Sequence, residues 1–311
     1  MLATINIICY NQYYGGEYLM SEINPYWDKV FYTVARARSF TKASEELELK
    51  KSTVRRHINL LEDELKTTLF YRDNKGVSLT PDGKEYFEYV EKALNYLKAG
   101  EKLIKSNNDI ETGEIVIGAL SHISHFFLME RIKRLKLRYP NLKITLVTGA
   151  TGNDLMNLLE SHKIDFAIDS TSLNIKNKDI QKEELKKIEN IFISNVPLEV
   201  KDLKELEKMN LILGLDNTIT SQDLFDTLRK NNVTIKPSLK IDITELKIDA
   251  TRMGLGIAYV MREAVKRELE NKELYEVKLP IKLPYTSINL LYLKGQLTQI
   301  DNKFIKEYLK K

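Results

Sequence analysis

The 311-residue chain contains one cysteine, Cys9. A single thiol forms no internal disulfide, and without Cys pairs or Cys/His clusters there is no ligand set for structural zinc or a thiol switch. No apolar run reaches the length of about 18 residues that a membrane helix needs. The first residues lack the basic region and small-residue cleavage site of a secretory signal, so membrane insertion and secretion are not expected and a reducing cytoplasm fits. Phosphate-cradling loops, nucleophile elbows and His-x-Glu metal boxes are missing too, so no cofactor, no metal and no enzymatic activity are expected.

What is present is ordinary globular material: 43% hydrophobic and 30% charged residues, enough to fill the cores of two or three domains. The net charge is only +4. Attraction to nucleic acid must therefore come from where basic residues cluster rather than from their total. Residues 1–19 match nothing that follows and precede a second methionine, Met20. They read as an N-terminal extension, either an upstream start or a loose arm, with a short strand paired elsewhere as the alternative.

The basic cluster lies in Lys50-Lys51-Ser52-Thr53-Val54-Arg55-Arg56-His57, with no acid between Leu49 and Leu61. Trp27, Val30, Phe31, Val34 and Ala35 have the i, i+3, i+4 spacing of a core-facing helix. Ser39 and Thr41 can cap a short second helix burying Ala43 and Leu47, and a few residues later a third helix buries Val54, Ile58, Leu61 and Leu65. That leaves Lys51, Ser52, Arg55, Arg56 and Asn59 on the opposite face, where Arg and Lys can reach guanine, Asn can pair with adenine and phosphates attract the charge. The plainer reading, a solvated charged face, stays open on this helix alone. Leu69 to Arg72 and Val77 to Thr80 flank Asp73-Asn74-Lys75-Gly76 as a hairpin wing, from which Arg72 and Lys75 can touch phosphate. Thr80-Pro81-Asp82 starts a helix expected to run to about Ser106. On it Phe87, Val90, Leu94, Leu97 and Ile104 recur near a 3.5-residue period, which suits pairing with a second copy or burial against its own domain.

Phe31 to Thr41 as F-x-x-V-A-x-x-x-S-F-T, Ile58 to Leu65 as I-x-x-L-E-x-E-L, Leu69-Phe70-x-Arg72 and Leu79-Thr80-x-x-Gly83 together resemble the LysR-type transcriptional regulators. The resemblance continues through Gly113-x-Ile115-x-Ile117-Gly118, Arg138-Tyr139-Pro140, Asp165 to Ile168 and Gly254 to Ala258. It implies a winged helix-turn-helix over 20–83, a linker and dimerisation helix with hinge over 84–108, and a periplasmic-binding-protein-like α/β effector domain over 109–311. Within the last, subdomain I takes 113–169 and 293–311 and subdomain II takes 170–292. It also implies a homodimer, assembling to a homotetramer, on double-stranded DNA. The sequence departs from the family pattern at Lys50-Lys51, where Ser-Gln is usual, at Arg55, where Ser is usual, and at Lys66, where Gly is usual. These changes bear on which DNA sequence is read; Ser52 is left to cap the helix.

Beyond residue 109, short apolar runs alternate with amphipathic helices, as in parallel sheets flanked by helices: Ile115 to Ile117, Ile144 to Val147, Phe166 to Ile168, Ile191 to Ile193, Leu211 to Leu213, Leu239 to Ile243 and Ile257 to Val260. Ligands of such sheets sit beyond strand carboxyl ends, where helix N-termini offer free donors. This nominates Ser121, His122, Ser124, Gly149, Thr151, Ser170, Thr218 and Thr220 as contacts to a small, anionic effector, although Ser and Thr cap helices everywhere. His122 and His125 have no third metal ligand near in sequence and read as solvent-facing or cap-associated. Gly254-Leu255-Gly256 follows a helix and reads as a helix-to-strand turn rather than a dinucleotide fingerprint. The expected function is effector-responsive, DNA-binding transcriptional regulation. The alternative is an α/β ligand-binding or enzymatic protein whose N-terminal helices serve assembly only.

Overall fold

The computed structural model describes residues 23–73, 76–106, 113–149, 151–170, 175–215 and 218–310. Two compact units divide the chain, one ending at Leu94 and the other beginning at Asn95. Residues 1–19 and Lys75 lie outside the described residues.

In the first unit, α1 (Pro25–Ala37), α2 (Phe40–Glu46) and α3 (Lys51–Leu65) precede a hairpin of β1 (Phe70–Asp73) and β2 (Gly76–Leu79), and α4 (Pro81–Ser106) follows. Asn24 caps α1 and Ser39 caps α2, each side chain accepting from a backbone N–H. Val30, Phe31, Val34, Ala43, Val54, Ile58 and Leu61 form a dry core, where each large side chain contributes about 2 kcal/mol by leaving water. The buried Glu62 carboxylate accepts from Leu69 N at 2.7 Å and Phe70 N at 3.2 Å, which ties the wing to α3. Gly83 is dictated by packing, because a Cβ there would meet the Leu69 carbonyl oxygen at 2.1 Å. Thr80 caps α4, its hydroxyl accepting from Gly83 N at 2.9 Å. On α4, Phe87, Val90 and Leu94 join this core, whereas Leu97 and Ile104 are exposed. The helix thus buries the first half of its apolar stripe in its own domain and leaves the second half exposed.

The second unit carries a nine-stranded sheet. Its path is β4 (Lys143–Gly149), β3 (Glu114–Leu120), β5 (Phe166–Asp169), β11 (Tyr285–Leu293), β6 (Ile180–Ser194), β9 (Ile257–Met261), β7 (Leu211–Leu213) and β8 (Leu239–Lys240), with β10 (Tyr275–Glu276) paired to β6. The two ends are parallel, as expected, but the strands joining them are antiparallel: β11 to β5, β11 to β6, and β6 to β9. The expected parallel sheets are present at the two ends, and an antiparallel centre that was not expected joins them. Only the C-terminal part of β6 was expected, as Ile191 to Ile193; its first half was hidden because residues 181–187 are strongly charged and alternate between half-buried and exposed, whereas 190–194 are buried. The expected strand over Leu239 to Ile243 shrinks to two residues.

Around β3 and β4 sit α5 (Ser121–Ile123), α6 (Met129–Arg138), α7 (Gly152–Glu160) and α11 (Gln299–Phe304), and around β7 and β9 sit α8 (Ile219–Lys230), α9 (Thr244–Arg252) and α10 (Lys266–Glu270). One core gathers Ile115, Ile117, Phe166, Ile168, Leu290 and Phe304. A second gathers Phe192, Leu211, Leu213 and Tyr259, and a third takes the alternate residues Ile191, Ile193, Ile212 and Val260 from the same strands. The strictly alternating assignment shows that these strands are covered on both faces, which is why they read as continuous apolar runs. The Gly254-Leu255-Gly256 turn joins α9 to β9. A Cβ on Gly256, at φ +156°, would meet the Asn210 carbonyl oxygen at 2.3 Å.

Candidate DNA-reading face and effector cleft

On α3, Lys51, Ser52, Arg55, Arg56 and Asn59 are all exposed, Thr53 is half-buried, and Lys50 and Thr41 are exposed beside them. Val54, Ile58 and Leu61 fix the opposite side of the helix in the core. The Arg55 guanidinium lies 5.5 Å from the Phe40 ring centroid, a cation–π contact that orients it from α2. Lys50, not Ser52, is the N-cap of α3, and it makes no side-chain capping bond, so the expected Ser52 cap does not form. Arg72 falls on β1 opposite Val77. The role of Glu62 was not foreseen: the acid in the I-x-x-L-E motif anchors the wing rather than facing solvent.

In the second unit, His122 and Ser170 come together across two strand ends, with His122 Nε2 3.3 Å from Ser170 Oγ. Burial pushes the His122 imidazole down to about 4, helped by the nearby Lys247 ammonium and opposed by Glu245, so the ring is neutral at physiological pH. Lys247 was missed by sequence reasoning, because a lysine inside an amphipathic helix carries no mark of burial. Its Nζ donates to the Tyr259 carbonyl at 3.3 Å, and burial pushes it down to about 8 against the opposing pull of Glu245 and Asp242. The Tyr259 hydroxyl is itself buried with no hydrogen-bond partner among the described residues. The nearby Asn190 amide is spent on the Pro284 carbonyl and the Thr286 hydroxyl, both at 2.8 Å.

The remaining candidates divide. Ser121 is exposed at the end of β3. Ser124 is buried and donates to the Leu120 carbonyl at 3.1 Å, which removes it from the ligand-facing set. Gly149 is needed for packing, since a Cβ there would meet Leu155 Cδ2 at 2.9 Å. Thr151 caps α7 in a reciprocal box: Asp154 accepts from the Thr151 amide and hydroxyl at 2.8 and 2.9 Å. That carboxylate already occupies the positive pole of α7, so an anion gains little there. Thr218 caps α8 and donates to Ser221 Oγ at 2.8 Å, with Thr220 half-buried one turn in. His125 is exposed, and among the described residues no group of His, Cys, Asp and Glu could hold a metal. A cavity of about 190 Å³ opens beside His122 against α9; two of its acids, Asp249 and Glu268, are tied to Arg252.

Residues 28–84 match the family model described as a bacterial regulatory helix-turn-helix protein of the lysR family, and 108–310 match the LysR substrate binding domain. The chain is 25% identical over 266 residues to the HTH-type transcriptional regulator YofA of Bacillus velezensis, covering 85% of this chain and 90% of that one. It is 29% identical over 257 residues to CzcR of Bacillus subtilis, covering 82% and 85%. A full-length OxyR variant from Pseudomonas aeruginosa shares the fold at a TM-score of 0.65 and 15% identity, covering 92% of this chain and 93% of that one. No described helix is long and apolar enough to cross a membrane. The chain belongs to the LysR family: it is a DNA-binding transcription regulator with a substrate-binding domain for a small-molecule effector, not an enzyme.

Proposed function

We propose that α3 reads the major groove through Lys51, Ser52, Arg55, Arg56 and Asn59, with Lys50, Thr41 and Thr53 at its N-terminal end on phosphate and Arg72 and Lys75 extending the contact from the wing. The observation that carries this reading is a solvent-facing basic surface without an intervening acid, held rigid by the core behind it. Such a surface replaces phosphate counterions, so its affinity falls steeply with salt. The two lysines where the family has Ser-Gln strengthen the phosphate contribution and change base discrimination. The exposed Leu97 and Ile104, continued by the exposed Tyr89, form the face through which α4 pairs two copies and sets two half-sites on DNA. Two such pairs make the tetramer, acting in the cytoplasm where the operator is.

The effector lies between subdomain I (113–169 and 293–311) and subdomain II (170–292), which β6 and β11 join. Ser121 and His122 approach it from the first, Thr218 and Thr220 from the second, and Ser170 from the boundary where the chain passes from one to the other. Closure of the cleft changes the placement of the paired DNA-binding domains. The test is to select bound fragments from the source genome, then titrate wild type and the Arg55→Ala and Arg56→Ala variants against them by fluorescence anisotropy over a salt series. Weakened binding with a shallower salt slope is expected; unchanged binding at moderate salt would remove α3 as the reader.

A further inference from the structure

Lys247 is a half-buried cation that forms no ion pair among the described residues. Its one hydrogen bond is long, to the Tyr259 carbonyl at 3.3 Å. Asp242 and Glu245, from its own side, act on it through space but form no ion pair with it, while from subdomain I it faces the neutral His122, which meets Ser170 at the subdomain boundary. A desolvated ammonium held this way is costly, and an arriving carboxylate offsets the cost. Of the helix N-termini assigned to the cleft, that of α7 is already neutralised by Asp154, while that of α8 has no acid in its first turn but offers only a partial charge. Lys247 brings a full positive charge beside His122. The two nearby acids also weigh against ligands of higher negative charge, because each added charge on the ligand meets both of them.

We propose that Lys247 is the charge-reading residue of the effector cleft and that the effector is a small monocarboxylate, its carboxylate held by Lys247 from subdomain II and hydrogen-bonded by His122 from subdomain I and by Ser170 at the boundary between them. This rests on the reading of the cleft as the effector site and names the ligand class it takes. Because the carboxylate touches both subdomains, its binding also favours the closed arrangement, and a neutral isostere forgoes the ion pair that drives it.

The experiment uses the full-length protein at constant ionic strength, with thermal shift followed by calorimetry. The probes are acetate, pyruvate and benzoate, their neutral counterparts acetamide, pyruvamide and benzamide, and succinate and inorganic phosphate as higher-charge arms. At least one monocarboxylate is expected to stabilise wild type more than its amide, succinate or phosphate does. Lys247→Met should weaken that binding by about tenfold or more, equivalent to about 1.4 kcal/mol, and Lys247→Arg should retain most of it. In wild type the affinity should fall as pH rises through about 8, where Lys247 loses its charge, and in Lys247→Arg it should not. Should Lys247→Met fail to fold, this pH comparison decides alone. Equal stabilisation by acid and amide, a preference for phosphate or succinate, no response to any probe, or undiminished binding by Lys247→Met each overturns the proposal. Hydrogen exchange separates the two levels: binding that protects the β3–α5 segment yet ignores Lys247→Met removes Lys247 only, whereas binding without protection there removes the cleft itself.

Discussion

The centre of the proposed DNA-reading face is drawn from one unbroken stretch, 50–59, whereas the proposed ligand-facing cluster draws His122, Ser170 and Lys247 from three segments far apart in sequence. The first is a property of a single helix: once Val54, Ile58 and Leu61 are buried, the basic side chains have nowhere to go but outward. The second exists only after β3, β5 and α9 have been placed by the sheet. A local face should therefore lose function residue by residue, and an assembled cluster should lose it cooperatively.

The largest effect tests the local half of that contrast. Arg55→Ala and Arg56→Ala should each weaken operator binding by about 1–3 kcal/mol, and the double variant by the sum to within about 0.5 kcal/mol, since neither side chain is bonded to the other. Anisotropy titrations at several salt concentrations measure this, and the slope against salt should drop by about 0.9 for each phosphate that is no longer neutralised. Strong non-additivity would mean the two arginines act as one cluster and would erase the distinction.

That half of the molecule was legible for the same reason. The helix stripe, the hairpin signal in Asp73 to Gly76 and the cap at Thr80 are all read from neighbours in sequence, and each appears where expected. Sequence also nominated Ser124 beside Ser121, although helical geometry turns the Ser124 hydroxyl back to Leu120 and leaves Ser121 exposed. Lys247 escaped notice because its burial is imposed by β9 and by subdomain I, and the first half of β6 because pairing along both edges hides inside a run of lysines and glutamates. Glu62 is the instructive middle case: it sits in the most legible stretch, yet its partners are the amides at Leu69 and Phe70. Glu62→Ala should leave both donors buried and unsatisfied, lowering stability by about 3 kcal/mol and the Tm by several degrees. Calorimetry on the full chain checks this, and a change within about 0.5 kcal/mol would show the wing to be held by the apolar core alone.

A smaller effect belongs to the assembled side. Asp301 caps α11 through Thr298, its Oδ2 accepting from the Thr298 amide at 2.8 Å and hydroxyl at 2.6 Å, while Oδ1 is buried without a partner. Burial, reinforced by the neighbouring Asp165, pushes the carboxyl up to about 6. A raised acid binds its proton more tightly folded than unfolded. Its contribution is therefore full below about pH 4, falls as pH rises toward about 6 and is constant beyond. Asp301→Asn keeps an acceptor for Thr298 and removes the titration, so the loss of stability across this window should flatten by on the order of 2 kcal/mol. Urea unfolding at pH 4, 5, 6 and 7 measures it; an unchanged profile would assign the slope to other carboxyls.

The smallest effect probes the link between the second half of α4 and the sheet. Lys102 on α4 is paired with Asp165, whose Oδ2 also accepts from Val116 N at 2.6 Å. Tyr96 on the same helix meets the His162 ring edge-on at 4.8 Å, in the turn that ends α7. Both contacts fall on the connection between α7 and β5, so a shift of α7 reaches α4 through two neighbouring points. The Lys102 and Asp165 side chains keep 26% and 15% exposure, and solvent screening holds their coupling to about 1 kcal/mol. A double-mutant cycle of Lys102→Met and Asp165→Asn should return that value, since Asn still accepts from Val116 N while the charge pairing is gone. Repeating the cycle with a bound monocarboxylate sharpens the comparison further. A coupling that changes on ligand binding makes this pair part of the assembled, ligand-sensitive network, and a constant one makes it a passive clamp on the helix.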